Sequence, residues 1–264
     1  MKDHCIILMF DKKFLVKANL MIKQIREIGL YKGDIVCIIS DDLKNSKGLP
    51  KGDNIIIKHF KEVDKSKILN DNRKQPTEQK QKDLVQECFP MSFKSIHYHK
   101  FYCFHTYFKE NYKRCFYIDT GTHIFKPLDK ILNLDCKDKF LAHCDGYPEY
   151  KSKLAGQFDK VIYPELFNFV NLMYNLNVDS FQATVFLYDT SIIQDDTFKT
   201  LVELANIFIN SKTNDQAILN LYFNSLLKKW EQLKLKDDET YYYDFYEREG
   251  LTSVDYIMLK YPKI

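Results

Sequence analysis

Arginine is scarce in this 264-residue chain. Of its 39 basic residues only Arg26, Arg73, Arg114 and Arg248 are arginines, and the formal net charge is +3. Arginine's planar fork is the better bidentate phosphate binder, so a lysine-dominated, nearly neutral chain carries no nucleic-acid footprint. The bias reads as AT-rich coding, of the kind that suits a low-GC bacterium or a large DNA virus. Long apolar runs are also lacking. The opening MKDHCIILMF has six apolar residues in a row, well short of a signal-peptide core or a membrane span. A soluble protein without a transmembrane segment is expected. No CxxC pair occurs among the seven cysteines. Their number is odd and most sit inside apolar runs, where cysteine acts as a small buried hydrophobe. This predicts a reducing, cytoplasmic setting (host cytoplasm for a viral source) and no structural zinc. Internal repeats and a dividing linker are absent as well.

What is present is a core. Hydrophobic residues make up 45 % of the chain and aromatics 15 %, which excludes collagen, a small disulfide scaffold and disorder throughout. Apolar runs at 5–10, 34–40 and 54–60 read as strands. Between the first two, Phe14, Leu15, Ala18, Met21, Ile22, Ile25 and Ile28 recur at helical spacing up to Gly29. Near-continuous apolar strands alternating with helices predict a mostly parallel sheet covered on both faces. Residues 64–86 turn polar and read as a mobile loop. A long helix is predicted over 92–108, strands at 115–118, 139–144 and 183–188, and amphipathic helices at 198–209 and 215–227. One α/β domain spanning 1–264 is the economical reading.

Several polar residues stand out against this frame. Asp119 lies immediately beyond the apolar run CFYI, and ligands of open α/β sheets bind outside the carboxyl ends of strands. A carboxylate there suits a cation or a ribose hydroxyl, or it caps a turn. Gly121 permits close backbone approach, and Pro127 turns the chain away. Lys100 shares a helical stripe with Phe93, His97, Phe104 and Tyr107 rather than the polar face, so it either pairs with a core carboxylate or reaches a ligand. Asp215 and Gln216 open a helix after Thr213 or Asn214 as cap.

Four blocks, namely the opening strand and helix, KFYCF with YIDTGTHIFKPLDKIL, FQATVFLYDT and NDQAILN, resemble in order and spacing the GT-A fold glycosyltransferases of family 8, the glycogenin and bacterial galactosyltransferase group. The resemblance implies a nucleotide-sugar donor, most simply a UDP-sugar, and an acceptor that is a glycan, a protein or a lipid-linked glycan. It places Leu8 and Phe10 at the nucleobase, Lys100 at the sugar or diphosphate, Asp119 at the ribose or a bound divalent ion, and Gln182 and Ala183 beneath the sugar. Asp215 would bind sugar hydroxyls, Gln216 would lie near the anomeric carbon, and Lys260 would be the lysine that contacts the diphosphate from a carboxyl-terminal segment, 236–264, that closes the site. With a glutamine at that place, the implied route is front-face displacement with retention. Where the family carries a second metal-binding aspartate this chain has Gly121, and no histidine follows His143. Manganese or magnesium on Asp119 is therefore in question: the ion is held differently, by Asp119 with the diphosphate and water or with His123 as a substitute ligand, lysines replace it, or activity is lost. The last option makes a non-catalytic sugar-nucleotide or glycan binder the first rival. A nucleotidyltransferase is the second, opposed by the absence of glycine in FDKKFLVKAN.

Overall fold

A computed structural model describes residues 1–61, 63, 96–237 and 239–260. The polar stretch 64–86, Phe93 and Lys263 lie outside the described residues. In chain order the strands are β1 (Lys2–Phe10), β2 (Asp34–Ile39), β3 (Ile55–His59), β4 (Tyr112–Ile118), β5 (His123–Ile124), β6 (Phe140–Cys144), β7 (Phe181–Asp189), β8 (Trp230–Gln232), β9 (Tyr241–Asp244) and β10 (Tyr256–Leu259). The helices are α1 (Leu15–Glu27), α2 (Thr106–Asn111), α3 (Asp129–Leu132), α4 (Pro164–Met173), α5 (Thr197–Ile207) and α6 (Asp215–Leu219).

A seven-stranded sheet runs β3-β2-β1-β4-β7-β6-β8. Strands β3, β2, β1 and β4 are mutually parallel, β7 is antiparallel to both β4 and β6, and β8 runs parallel to β6. From Cys5 to Phe10 every β1 residue is buried, as is all of β2. That is why both read as unbroken apolar runs: each face is covered, so no alternation survives. One face packs on α1 through Ala18, Met21, Ile22 and Ile25. The other packs on an aromatic cluster containing Phe101, Phe104, Phe140, Phe186 and Tyr188.

The long helix expected over 92–108 is broken. Tyr98–Phe104 forms a 3-10 segment with every side chain buried, and α2 starts afresh after His105, whose ring accepts from the Tyr107 N–H. Burial on all sides removes the reason for an amphipathic period. A second sheet of three strands, ordered β5-β10-β9, has no counterpart in the sequence reading. It fastens the carboxyl-terminal segment to the chain just after β4. No helix among the described residues is long and apolar enough to cross a membrane. The six described cysteines are free and buried.

Candidate active site

Strands β4 and β7 lie side by side, and the chain leaving β4 meets the chain entering β7. Asp119 donates its backbone N–H to the Thr184 carbonyl at 2.9 Å and accepts the Thr122 N–H at 3.0 Å, which closes a turn over 119–122. Its carboxylate faces inward. Oδ1 accepts the Tyr117 hydroxyl at 2.6 Å and Oδ2 accepts Lys260 Nζ at 2.8 Å. Burial alone would raise the pKa of Asp119, but the positive charges of Lys100 and Lys260 outweigh it and hold the carboxyl well below its ordinary range.

Lys100 occupies the centre. Its Nζ donates to the Ala183 carbonyl at 2.7 Å and stands 3.1 Å from Asp215 Oδ2 and 3.6 Å from Asp119 Oδ1. Its side chain is 5 % exposed. Desolvation, which favours the neutral amine, is overcome by Asp119 and Asp215, so Lys100 remains a cation. The alternative that pairs Lys100 with core carboxylates is the one the geometry selects, and its ammonium is enclosed rather than turned to a ligand. His97, three residues earlier, places Nδ1 3.6 Å from Asp215 Oδ1, and burial lowers its basicity.

Ala183 ties the cluster to Gln216. Its carbonyl takes Lys100 while its N–H donates to Gln216 Oε1 at 3.0 Å. Gln216 Nε2 in turn donates to Asp145 Oδ2 at 2.9 Å, an oxygen shared with Gln157 Nε2 at 3.2 Å. Asn220 braces the same corner, exchanging bonds at 2.8 Å with both the Phe181 N–H and carbonyl. Asn214, immediately before Asp215, has φ +53° and ψ −116°, and its side chain makes no capping bond. A non-glycine residue held there is strained and is characteristic of functional turns; the expected side-chain cap at 214 is absent.

Asp145, Gln157 and Asn220 were not among the residues that the sequence pointed to. The signal for Asp145 is the same as for Asp119, a carboxylate directly after the apolar run FLAHC, which forms β6. Other expectations are corrected. Leu8 and Phe10 are core residues, 0 % and 1 % exposed, packed with α1, so their side chains offer a nucleobase no surface. Gln182 is 1 % exposed and encloses its amide, and neither of its polar atoms meets a partner among the described residues. A Cβ on Gly121 would meet nothing within 4 Å, so no close approach demands a glycine there. His123 sits on the short edge strand β5, paired with Leu259, its ring near Phe125.

The donor set does not fit a divalent ion. Both oxygens of Asp119 already accept from cationic or hydroxyl donors, Gly121 adds no ligand, and among the described residues no three His, Cys, Asp or Glu side chains gather as a metal set. What the cluster presents is Asp119 and Asp215 fixed about Lys100, the Gln216 amide held by Ala183 and Asp145, and one partly exposed ammonium at Lys260, whose side chain is 27 % exposed.

No protein-family model matches the chain, and no curated protein does. Solved structures do. The galactosyltransferase LgtC, in complex with donor and acceptor sugar analogues, aligns over 97 % of this chain and 86 % of its own with a TM-score of 0.59 at 12 % identity. An active-site glutamine-to-glutamate mutant of LgtC gives the same score over 98 % and 88 %. The bifunctional glycosyltransferase WbbM aligns over all of this chain and 46 % of its own, with a TM-score of 0.56 at 14 % identity. The chain has the mixed α/β architecture of GT-A glycosyltransferases.

Proposed function

We propose that this chain is a glycosyltransferase of the family 8 type, which transfers a sugar from a nucleotide-sugar donor, a UDP-sugar, to a glycan, protein or lipid-linked acceptor. The observation that carries the reading is the convergence of Asp119 and Asp215 on Lys100, with Gln216 joined to it through the Ala183 backbone, at the carboxyl ends of β4 and β6 and the start of β7. Open α/β sheets bind ligands at that edge. Structures of this fold include an enzyme holding donor and acceptor sugar analogues and one in which a glutamine is an active-site residue.

In this reading Asp215 accepts hydroxyls of the donor sugar, and Gln216 lies beside the anomeric carbon with its amide orientation locked by Ala183 and Asp145. An amide so engaged is a poor nucleophile. The acceptor oxygen therefore attacks the anomeric carbon on the face from which the diphosphate leaves. The bond to the diphosphate oxygen breaks with its electron pair, the acceptor proton passes to that oxygen, and configuration is retained. A reducing, cytoplasmic setting belongs to the proposal and is supported by the free buried thiols.

Purified protein incubated with UDP- and GDP-sugars tests it. Slow release of UDP from one sugar is expected, reduced about a hundredfold or more in Asp119→Ala and Gln216→Ala, the scale of losing a fixed polar group from a transition-state site. A fold that binds but does not transfer is the reading favoured instead if a nucleotide sugar binds and is not hydrolysed.

A further inference from the structure

Lysines are plentiful throughout the chain, but two stretches hold them apart from acids. Residues 12–26 carry four lysines and an arginine, residues 43–52 carry three lysines, and neither stretch contains an acidic residue, whereas the remainder of the chain has more acids than bases. The fold lays these stretches side by side. The Lys12 N–H donates to the Asp42 carboxylate at 3.1 Å just before the loop 43–52, and Arg26 Nη2 donates to the Asp53 carbonyl at 3.1 Å just after it. Midway, Asn19 Nδ2 reaches the Gly48 carbonyl at 3.5 Å. The loop thus runs along α1. Ala18, Met21, Ile22 and Ile25 face the sheet, so Val16, Lys17, Leu20 and Lys23 fall on the outer side of the helix. All four are exposed, Val16 by 71 % and Leu20 by 57 %, as are Lys44 and Lys47 of the loop. Glu27, 3.9 Å from Lys23, ends the acid-free run.

We infer that the outer side of α1 and the 43–52 loop form a docking surface for an anionic lipid membrane. Val16 and Leu20 enter the headgroup region, and the lysines around them meet lipid phosphates and carboxylates. A helix with an apolar centre and flanking cations lies in the plane of such an interface, and each lysine is drawn to the negative surface potential. A nucleic-acid duplex fits less well: exposed valine and leucine side chains gain nothing on a phosphate backbone, whose contacts are electrostatic. Helix α4 supplies the contrast. It exposes Leu172 and Met173 but contains no lysine or arginine, so no charge selects a membrane for it. Helix α1 follows the carboxyl end of β1, which runs parallel to β4, so its docking face begins at the sheet edge that carries Asp119. The inference concerns attachment and does not depend on the sugar-transfer reading.

Co-sedimentation of the full chain with phosphatidylcholine vesicles, with and without phosphatidylserine, tests this. At low salt, partition onto the phosphatidylserine vesicles is expected to exceed that onto phosphatidylcholine alone by about tenfold or more, and to fall back at about 0.5 M salt, where exposed charges are screened. One lysine at an anionic surface is worth about fivefold, so Lys17→Ala combined with Lys47→Ala should weaken binding about tenfold or more. Val16→Ser combined with Leu20→Ser should weaken it by about the same factor through lost apolar contact. Lys199→Ala, at an exposed lysine of α5 on the other face of the sheet, should stay within about twofold. Wild-type protein that ignores phosphatidylserine vesicles at low salt overturns the proposal without reliance on any variant. Binding that is indifferent to Val16→Ser with Leu20→Ser, or that falls as much in Lys199→Ala as in the Lys17 and Lys47 variant, overturns it as well. Binding of a duplex oligonucleotide through Lys17 and Lys47, with vesicles ignored, also overturns it and makes this face a nucleic-acid surface.

Discussion

Lys100 shows how a single residue can be both legible and misread. Its place on an apolar stripe marks it as needing a partner, and two carboxylates and a carbonyl supply that need, within a shell too closed for a ligand. Removing one member of a buried ionic cluster leaves the other charges unpaired. Lys100→Met is therefore expected to destabilise the fold by about 3–5 kcal/mol, the range for breaking a buried pair, as a fall in the midpoint of urea denaturation. Gln216→Glu carries a second residue-scale expectation. It would set a carboxylate against Asp145 Oδ2, where the amide now donates at 2.9 Å. Like charges repel only when both are ionised, so the variant is expected to lose more stability at pH 8 than at pH 5, by about 1 kcal/mol or more. Equal losses at the two pH values would contradict this. Asp119 and Asp215 were readable because one directly follows a strand and the other opens a helix. Asp145 obeys the same rule, directly after the strand FLAHC and before Gly146 and Pro148, and was open to the same reading as Asp119.

Among the elements, the central strands were readable because complete burial writes itself as uninterrupted apolar sequence. That same burial conceals which residues face a ligand, and so Leu8 and Phe10 prove to be core. The small sheet was hidden for the opposite reason: β5, β9 and β10 are two to four residues long, too short for a period of two to register. Yet it is the element that delivers Lys260. Asp244, at the end of β9, links this sheet to Arg248 and Tyr150. Asp244→Asn keeps the shape and discards the charge. It is expected to cost about 1–3 kcal/mol through the weakened buried bonds and to hasten proteolysis between residues 245 and 255. Its UDP affinity should fall further than that of a variant at the exposed pair Lys199 and Glu203. An unchanged cleavage pattern would show that Asp244 does not hold the segment.

Across the whole molecule, fold class was legible from alternation and the single core, whereas the pairing of β7 antiparallel to both its neighbours is set by long-range contacts that leave no local trace. Acid sensitivity is also a property of the whole. His143, fully buried, lies 5.3 Å from the ring of Tyr150 and 5.5 Å from that of Tyr243, and burial pushes its ring down from 6.5 to about 3. Below pH 6.5 the unfolded chain takes up a proton there that the folded chain refuses. Stability is thus lost as pH falls from about 6.5 towards 3, at about 1.4 kcal/mol per unit from this group. His143→Phe should flatten the fall between pH 6.5 and 5, and a parallel fall in wild type and variant would locate the acid sensitivity elsewhere. Asp119, whose carboxyl is held down, contributes stability that is present above about pH 4 and lost on further acidification through its folded value.

The molecule also offers a competing location. A cavity of about 650 Å³ lies at the amino ends of β1 and β2, lined by Lys2, His4, Tyr31 and Asp34 among others, at the opposite edge of the sheet from Asp119. Hydrogen exchange read by mass spectrometry, with and without saturating UDP-sugar, separates the two most directly. Protection is predicted at 117–122, 181–184, 213–217 and 256–260, with exchange around 2–4 and 30–34 unchanged. Protection confined to the Lys2 and Asp34 edge, or none anywhere, would contradict the assignment of the sugar-nucleotide site to the Lys100, Asp119 and Asp215 cluster.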